Sequence, residues 1–274
     1  MSHKFRFTKE SLQRLTRYVA GEKEAPAPAP QEEPEDQGPI LAVCLTDVGK
    51  VRASNQDAII EGEMLWGVAD GMGGHNGGET ASAGARDGLV ELLQGKEPSV
   101  DHLRTGVKAV NSRLFLRQQE DETLSGMGTT LTALWFSEHH VYIGHVGDSR
   151  AYLLRGGKLK QITEDHSLVE ELVRSGHLTR EQVENHPMRN VITRAVGTEE
   201  GVDVDLIVEE RQKGDLWLVC SDGLHGLVPD KRMEAILRAE APRAAAQALL
   251  DAAMQAGGRD NITVVVLLDK EGSR

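Results

Sequence analysis

Cysteine is scarce in this sequence. Two occur in 274 residues, Cys44 and Cys220. Each lies inside an apolar run, where a free thiol behaves as a small core side chain, so both are expected to stay reduced. No cationic start is followed by a continuous apolar core of the signal-peptide kind, and no apolar stretch approaches the roughly 20 residues that span a bilayer. The expected compartment is therefore the cytoplasm, with no transmembrane segment. Basic residues are outnumbered as well: 31 Lys and Arg stand against 43 Asp and Glu, a formal net charge of −12. That balance argues against nucleic acid, whose phosphates need a basic surface, but leaves room for an anionic substrate if a metal reverses the local field.

Several familiar catalytic signatures are missing too. The glycines from 71 to 78 lack the Gly-Lys-Ser/Thr ending of a P-loop and do not fit the dinucleotide Gly-x-Gly-x-x-Gly spacing. There is no Gly-x-Ser-x-Gly or Cys-x5-Arg nucleophile loop, and the ten histidines form no His-Glu-x-x-His zinc spacing. Both cysteines, set in apolar runs, lack the cationic surroundings that make a thiolate.

What is present is a chain long enough for one large domain or two small ones, with 39% hydrophobic residues and 29 glycines, which suits a turn-rich globular protein. Residues 1–24 place Leu12, Leu15 and Val19 at helical spacing among Lys4, Arg6, Lys9, Arg14 and Arg17, a basic amphipathic segment suited to docking on a partner or on anionic lipid. Residues 25–39 alternate Ala and Pro and then turn acidic, which reads as a stiff solvated linker. The globular domain is expected to run from 40 to 270.

Within it, strands are expected at 40–46, 57–61 and 64–69, then helices at 77–94 and 99–120 with apolar stripes. Further strands at 129–136, 140–146, 150–154 and 158–162 read as an antiparallel meander. Residues 167–197 combine two short helical pieces with a Gly176 break and are too polar for a core layer, so they are expected to form a lid-like insertion. Strands at 205–209 and 215–220, helices at 230–239 and 242–256 and a strand at 262–268 close the domain. Strands and helices come in blocks and not in βαβ alternation, so the class is α+β with antiparallel sheets.

The chemistry lies in a repeated arrangement. Trp66-Gly67-Val68-Ala69-Asp70-Gly71 is an apolar run broken by one carboxylate and then small residues. The same pattern recurs around Asp148 (Gly147-Asp148-Ser149), Asp222 (Ser221-Asp222-Gly223) and Asp260 (Arg259-Asp260-Asn261). A carboxylate beside a dry core is costly unless paired or coordinated, so several at strand mouths are best explained if the mouths converge on cations. Oxygen-only ligands select Mg²⁺ or Mn²⁺ over zinc. One carboxylate shared by two such ions about 3.5–4 Å apart would let a bridging water act as hydroxide, which is hydrolytic chemistry on a phosphate or similar ester. Arg52, in the loop before Asp57, offers a planar fork matched to two phosphate oxygens.

Taken together, Val51-Arg52-Ala53-Ser54-Asn55-Gln56-Asp57, Asp70-Gly71-Met72-Gly73-Gly74-His75, Gly128-Thr129-Thr130, Gly147-Asp148-Ser149-Arg150, Asp165-His166-Ser167, Ile192-Thr193-Arg194-Ala195-Val196-Gly197, Ser221-Asp222-Gly223 and Asp260-Asn261-Ile262-Thr263 resemble, in order, a bacterial PP2C-type metal-dependent serine/threonine protein phosphatase. The resemblance implies an αββα sandwich of two antiparallel sheets flanked by helices, with two Mn²⁺ or Mg²⁺ ions and a third, weaker one in a cleft at one end. Carried onto this sequence, Asp70 would bridge the two metals, the Gly71 carbonyl would bind one, and Asp222 and Asp260 would complete the other. Asp148 would share the third with Asp222, Asp57 would support metal-bound water, Arg52 would grip the phosphate, and 167–197 would match the flap. The implied reaction is in-line attack by metal-bound hydroxide on phosphoserine or phosphothreonine, opposing a bacterial Ser/Thr kinase. Position 72 departs from the eukaryotic pattern, where a His often serves as general acid. Met72 has no proton to give, which leaves water in that role in preference to His75. The alternatives are a catalytically weak phosphopeptide-binding module of the same fold and a hydrolase of small phosphoesters.

Overall fold

Leu216–Cys220 is buried at every position, as is Leu131–Phe136, and a strand with two dry faces needs a layer on each side. In the computed structural model that demand is met by two facing sheets covered on their outer sides by helices. The structure describes residues 38–73, 77–183 and 186–273. The expected amphipathic segment 1–24, the linker 25–39 apart from its last two residues, and His75 lie outside them. The described residues belong to one compact unit, and none of their helices is long and apolar enough to cross a membrane.

The strands, in chain order, are β1 (Ile40–Asp47), β2 (Asp57–Gly62), β3 (Leu65–Met72), β4 (Gly128–Thr129), β5 (Leu131–Phe136), β6 (His140–Val146), β7 (Arg150–Arg155), β8 (Lys158–Gln161), β9 (Asp205–Glu210), β10 (Leu216–Cys220) and β11 (Ile262–Asp269). The helices are α1 (Gly77–Leu93), α2 (Val100–Glu120), α3 (Leu168–Arg174), α4 (Arg180–Val183), α5 (Asp222–His225), α6 (Asp230–Ala239) and α7 (Pro242–Gln255), with a 3₁₀ turn at Glu122–Leu124. One sheet has the order β1-β11-β10-β7-β8 and the other β2-β3-β5-β6-β9, with β4 added on β3. Every pairing is antiparallel.

Strand alternation sorts side chains into three apolar layers. Trp66, Val68, Leu134, Phe136, Trp217, Val219, Val265 and Leu267 fill the space between the sheets. There Phe136 takes Trp66 and Trp217 edge-on, with ring centroids 5.8 and 6.5 Å away. Their neighbours in the chain point outward. Leu65, Ala69, Leu131 and Ala133 meet Ala85, Leu89, Leu103, Val107 and Leu114 of α1 and α2. Leu216, Leu218, Val264 and Val266 meet Met233, Leu237, Ala246 and Leu249 of α6 and α7. Local chemistry starts these helices cleanly: Ser99 caps α2 by accepting from the His102 N–H at 3.2 Å, and α7 opens on Pro242, whose missing N–H is no loss in a first turn.

The expected α+β sandwich is therefore the observed fold, with three corrections. The meander from 129 to 162 is not one sheet: β5 and β6 pair with each other, β7 and β8 with each other, and the chain crosses between facing sheets at Gly147–Ser149. A three-residue Gly-Asp-Ser link has the length of a hairpin loop, so sequence alone does not separate the two geometries. The expected strand 129–136 breaks at Thr130, whose hydroxyl and amide turn to Asp70. The insertion 167–197 is largely polar, but its end is core: Ala195 and Val196 are buried, and Val196 joins the layer under α1 and α2.

Candidate metal centre

The strand ends bring the predicted carboxylates to one end of the sandwich. Asp70 lies two residues inside the end of β3, in register with Asp57 of β2. Thr130 receives the Asp70 N–H on its hydroxyl at 2.9 Å and returns its own N–H to the Asp70 carbonyl at 2.9 Å, where the Thr129 hydroxyl also donates at 2.9 Å. Asp70 is thus fixed by its backbone, leaving its carboxylate for other work. A Cβ on Gly71 would stand 2.1 Å from the Gly78 carbonyl oxygen and 2.6 Å from that of Gln56, so only glycine lets these three backbones meet.

Asp57 is held by two hydroxyls. Its Oδ2 accepts from Ser221 Oγ at 2.7 Å and from Thr263 Oγ1 at 2.6 Å. Ser221 in turn receives the Thr263 N–H at 3.0 Å, which ties the end of β10 to β11. The other oxygen, Oδ1, is buried without a hydrogen-bond partner among the described residues. Asp148, in the turn between β6 and β7, repeats the feature: it is 6% exposed and its Oδ1 likewise has no partner. Two orphaned carboxylate oxygens in one region are expensive unless something cationic meets them.

Asp222 opens α5 directly after β10, and Asp260 precedes β11. A Cβ on Gly223 would fall 1.9 Å from the Asn261 carbonyl oxygen, so glycine allows these two segments to touch. Asn261 also fixes the Arg52 loop, donating to the Val48 and Ser54 carbonyls at 3.0 Å each and accepting the Gln56 N–H at 2.8 Å. Arg52 stands at the rim, half exposed, with Nη2 donating to Asp260 Oδ2 at 2.6 Å. That hydrogen bond, with the charges of Asp260, Asp222 and Asp70, raises its pKa against the effect of burial.

The carboxylates feel one another. Burial, then the charges of Asp57, Asp222, Asp148 and Asp260, hold Asp70 well above the usual carboxylate range. Burial followed by Asp148, Asp260 and Asp57 pushes Asp222 up to about 8, and burial followed by Asp165 pushes Asp148 up to about 7. Burial also raises Asp57, against its hydroxyl donors. An all-oxygen cluster that resists its own ionisation fits a hard divalent cation. Among the described residues no three His, Cys, Asp or Glu side chains form a ready-made cage. Ions of the Mg²⁺ type keep several waters and take one or two carboxylates, so they do not need one.

Thr129, Thr130, Ser221, Asn261 and Thr263 stand within the motifs read from the sequence, but their role as supports of the carboxylates was not assigned there. Each lies within three residues of an expected Asp or beside the glycine turn that meets it, and adjacency of small hydroxyl and amide residues to those carboxylates was the available signal. Met72 packs near Gly128, which pairs with it across β3 and β4. The insertion 167–197 is stapled at its base, where Leu168 N–H donates to Val191 at 2.9 Å and Thr193 N–H to His166 at 2.8 Å. A cavity of about 730 Å³ at the other end of the strands, lined by Leu65, Leu93, Trp135 and Phe136, contains none of these carboxylates.

The model of the protein phosphatase 2C family matches residues 50–256, which takes in every carboxylate of the cluster except Asp260. The chain belongs to the protein phosphatase 2C family. It is 42% identical over 224 residues to the serine/threonine protein phosphatase PstP of Mycobacterium tuberculosis, a match covering 81% of this chain and 43% of PstP. The chain therefore spans less than half the length of that relative. It is 40% identical over 235 residues to the serine/threonine phosphatase stp of Listeria monocytogenes, covering 81% of this chain and 93% of stp. The crystal structure of the PstP catalytic domain in complex with two manganese ions superposes with a TM-score of 0.78 at 38% identity, over 85% of this chain and 99% of that one.

Proposed function

We propose that this chain is a metal-dependent protein serine/threonine phosphatase, hydrolysing phosphoserine and phosphothreonine monoesters. The observation that carries the reading is the convergence of Asp57, Asp70, Asp148, Asp222 and Asp260 on one end of the sandwich with a guanidinium, Arg52, at its rim. The protein phosphatase 2C relatives named as serine/threonine phosphatases, and the two manganese ions of the PstP structure, support it.

The residues that would hold Mn²⁺ or Mg²⁺ are Asp70 between two ions, the Gly71 carbonyl on one, Asp222 and Asp260 on the other, and Asp148 with Asp222 on a third, weaker ion. When bound, such ions lower the pKa of water and neutralise phosphate charge. The protein contributes the rest. Asp57 is held still because Ser221 and Thr263 occupy Oδ2, and its other oxygen would accept a hydrogen bond from a water in the cleft and orient it. Arg52 has donors left after its bond to Asp260 and presents them to the phosphate oxygens, where a planar fork matches two acceptors. Met72 has no proton to donate, so protonation of the departing serine or threonine oxygen is assigned to water.

The substrates on this reading are phosphorylated proteins of the cytoplasm, including targets of a bacterial Ser/Thr kinase, with the basic segment 1–24 as a docking arm. Turnover of a phosphothreonine peptide compared with nucleoside monophosphates and sugar phosphates, all in Mn²⁺, tests the substrate class. A clear preference for the peptide is expected; faster turnover of the small esters would overturn it.

A further inference from the structure

Asp148 stands on three residues that carry the chain from one sheet to the other, and two histidines hold that turn by its backbone. His166, 8% exposed at the base of the insertion, accepts the Gly147 N–H on Nδ1 at 3.0 Å and gives its own N–H to the Gly147 carbonyl at 2.8 Å. An imidazole nitrogen that accepts carries no hydrogen, so the ring hydrogen of His166 sits on Nε2, 3.2 Å from Asp205 Oδ2. Arg194 Nη1, 2.9 Å from the same nitrogen, donates to Asp205 Oδ1 at 2.7 Å. The His166 ring lies against His145, with centroids 4.7 Å apart, and His145 is itself fixed at both nitrogens by Thr132 Oγ1 and the Glu164 carbonyl at 2.9 Å each.

His225, in α5, reaches the same turn. Its Nε2 donates to the Asp148 carbonyl at 3.0 Å. Thr130 and Thr132 complete the grip on Ser149, through its hydroxyl at 2.8 Å and its carbonyl at 2.9 Å. With its backbone held at both neighbours and at its own carbonyl, Asp148 keeps Oδ1 buried and unpartnered. A looser turn would let that oxygen find a donor of its own.

We propose that His166 and His225 are positioning residues that hold Asp148, from two different elements, in the orientation that receives a divalent cation. This rests on the phosphatase reading through the cation alone. Outer groups that orient a metal ligand commonly change affinity by about 10–100-fold when lost; His225 bonds to the backbone of Asp148 itself and His166 to that of its neighbour Gly147.

Asparagine and glutamine separate this role from simple packing, because the Asn side-chain amide lies near Nδ1 of histidine and the Gln amide near Nε2. At 166 the acceptor for Gly147 sits at Nδ1, so His166→Asn should keep the function and His166→Gln should lose it. At 225 the donor sits at Nε2, so the order reverses: His225→Gln keeps it and His225→Asn loses it. If His166 served only to tie the insertion to Asp205 through Nε2, His166→Gln would be the better variant.

The experiment is calorimetric titration of the full chain with Mn²⁺, with melting temperatures in chelator for each variant and Asp148→Asn to mark the binding step that uses Asp148. In that step His166→Gln and His225→Asn should weaken Mn²⁺ by about tenfold or more, while His166→Asn and His225→Gln stay within about threefold. Equal behaviour within each pair, a reversed order at either position, or an Asp148→Asn chain with every step intact would overturn the proposal. If both variants at one position fail to fold, the pair at the other decides. A wild-type chain that binds no Mn²⁺ would overturn this proposal and the phosphatase reading together. Wild-type binding and turnover without the reciprocal ranking would overturn the positioning role alone.

Discussion

Neutralising one carboxylate of the cluster should stabilise the metal-free protein while removing its response to metal. Asp222 is the best choice, because burial and the charges of Asp148, Asp260 and Asp57 push it up to about 8, against 3.8 for an ordinary Asp. A carboxyl whose folded pKa exceeds its unfolded value destabilises the fold once pH rises above the unfolded value, and the penalty grows until pH passes the folded one. At about 1.36 kcal/mol per unit the full gap would be on the order of 5 kcal/mol if Asp222 carried it alone. The repulsion is shared among several carboxylates and softened by an effective dielectric near 20, so Asp222→Asn should recover about 2 kcal/mol at pH 8. For a domain of this size that is a rise of roughly 4–8 °C in melting temperature. In wild type, Mn²⁺ at about 100 times its Kd should add about 2.7 kcal/mol, and in Asp222→Asn much less. Thermal melts in chelator and in Mn²⁺ measure both effects. An Asp222→Asn protein that melts below wild type in chelator, or gains as much from Mn²⁺, would refute the reasoning.

Three other perturbations probe separate parts of the account. Thr263→Val removes one hydroxyl from Asp57 with little change of shape, and should lower phosphopeptide turnover by about 10–100-fold with the fold intact by circular dichroism. Arg211 pairs through two nitrogens with the buried Asp269, at 2.8 and 2.9 Å, at the far end of the strands. Arg211→Met should therefore cost about 3–5 kcal/mol in urea unfolding without changing the turnover of the folded enzyme. Burial would raise Asp269, but Arg211 and the Gly272 N–H hold it below 3.8, so this stabilisation is present above that pH and is lost as pH falls through the folded value. His145, fully buried and pushed down to about 4 by burial and His166, contributes stability that is complete above about pH 6.5 and declines as pH falls towards 4. From pH 6.5 to 5 the loss should be about 2 kcal/mol, and His145→Gln should flatten that part of the stability profile relative to wild type.

The α+β class was legible in the blocks of strands and helices, whereas the two-sheet layering came from the family resemblance; runs such as Leu216–Cys220, apolar on both faces, and the single stripe of α2 are compatible with it but do not fix it. The carboxylates were legible because a charge set in an apolar run demands a partner. Which sheet each strand joins was hidden. Gly147–Ser149 has hairpin length but carries the chain across the core, and only the long-range pairing of β7 with β10 decides between the two. Equally hidden was the support beneath the carboxylates. Ser221 and Thr263 are 42 residues apart in sequence yet bond to each other and to one oxygen of Asp57, a meeting that register creates and local propensity does not report. The break at Thr130 and the single turn of α5 escaped for a related reason: each is set by a hydrogen bond or close approach to a distant segment, not by periodicity.

The central claim is that the clustered aspartates make this chain a metal-dependent phosphatase, and phosphate release from a phosphothreonine peptide tests it most directly, measured first with Mn²⁺, then after chelation, then after Mn²⁺ is restored. Turnover should stop on chelation and return with the metal, with none above background for Asp70→Asn under any of the three conditions. Undiminished release in chelator, or wild-type rates from Asp70→Asn, would contradict it.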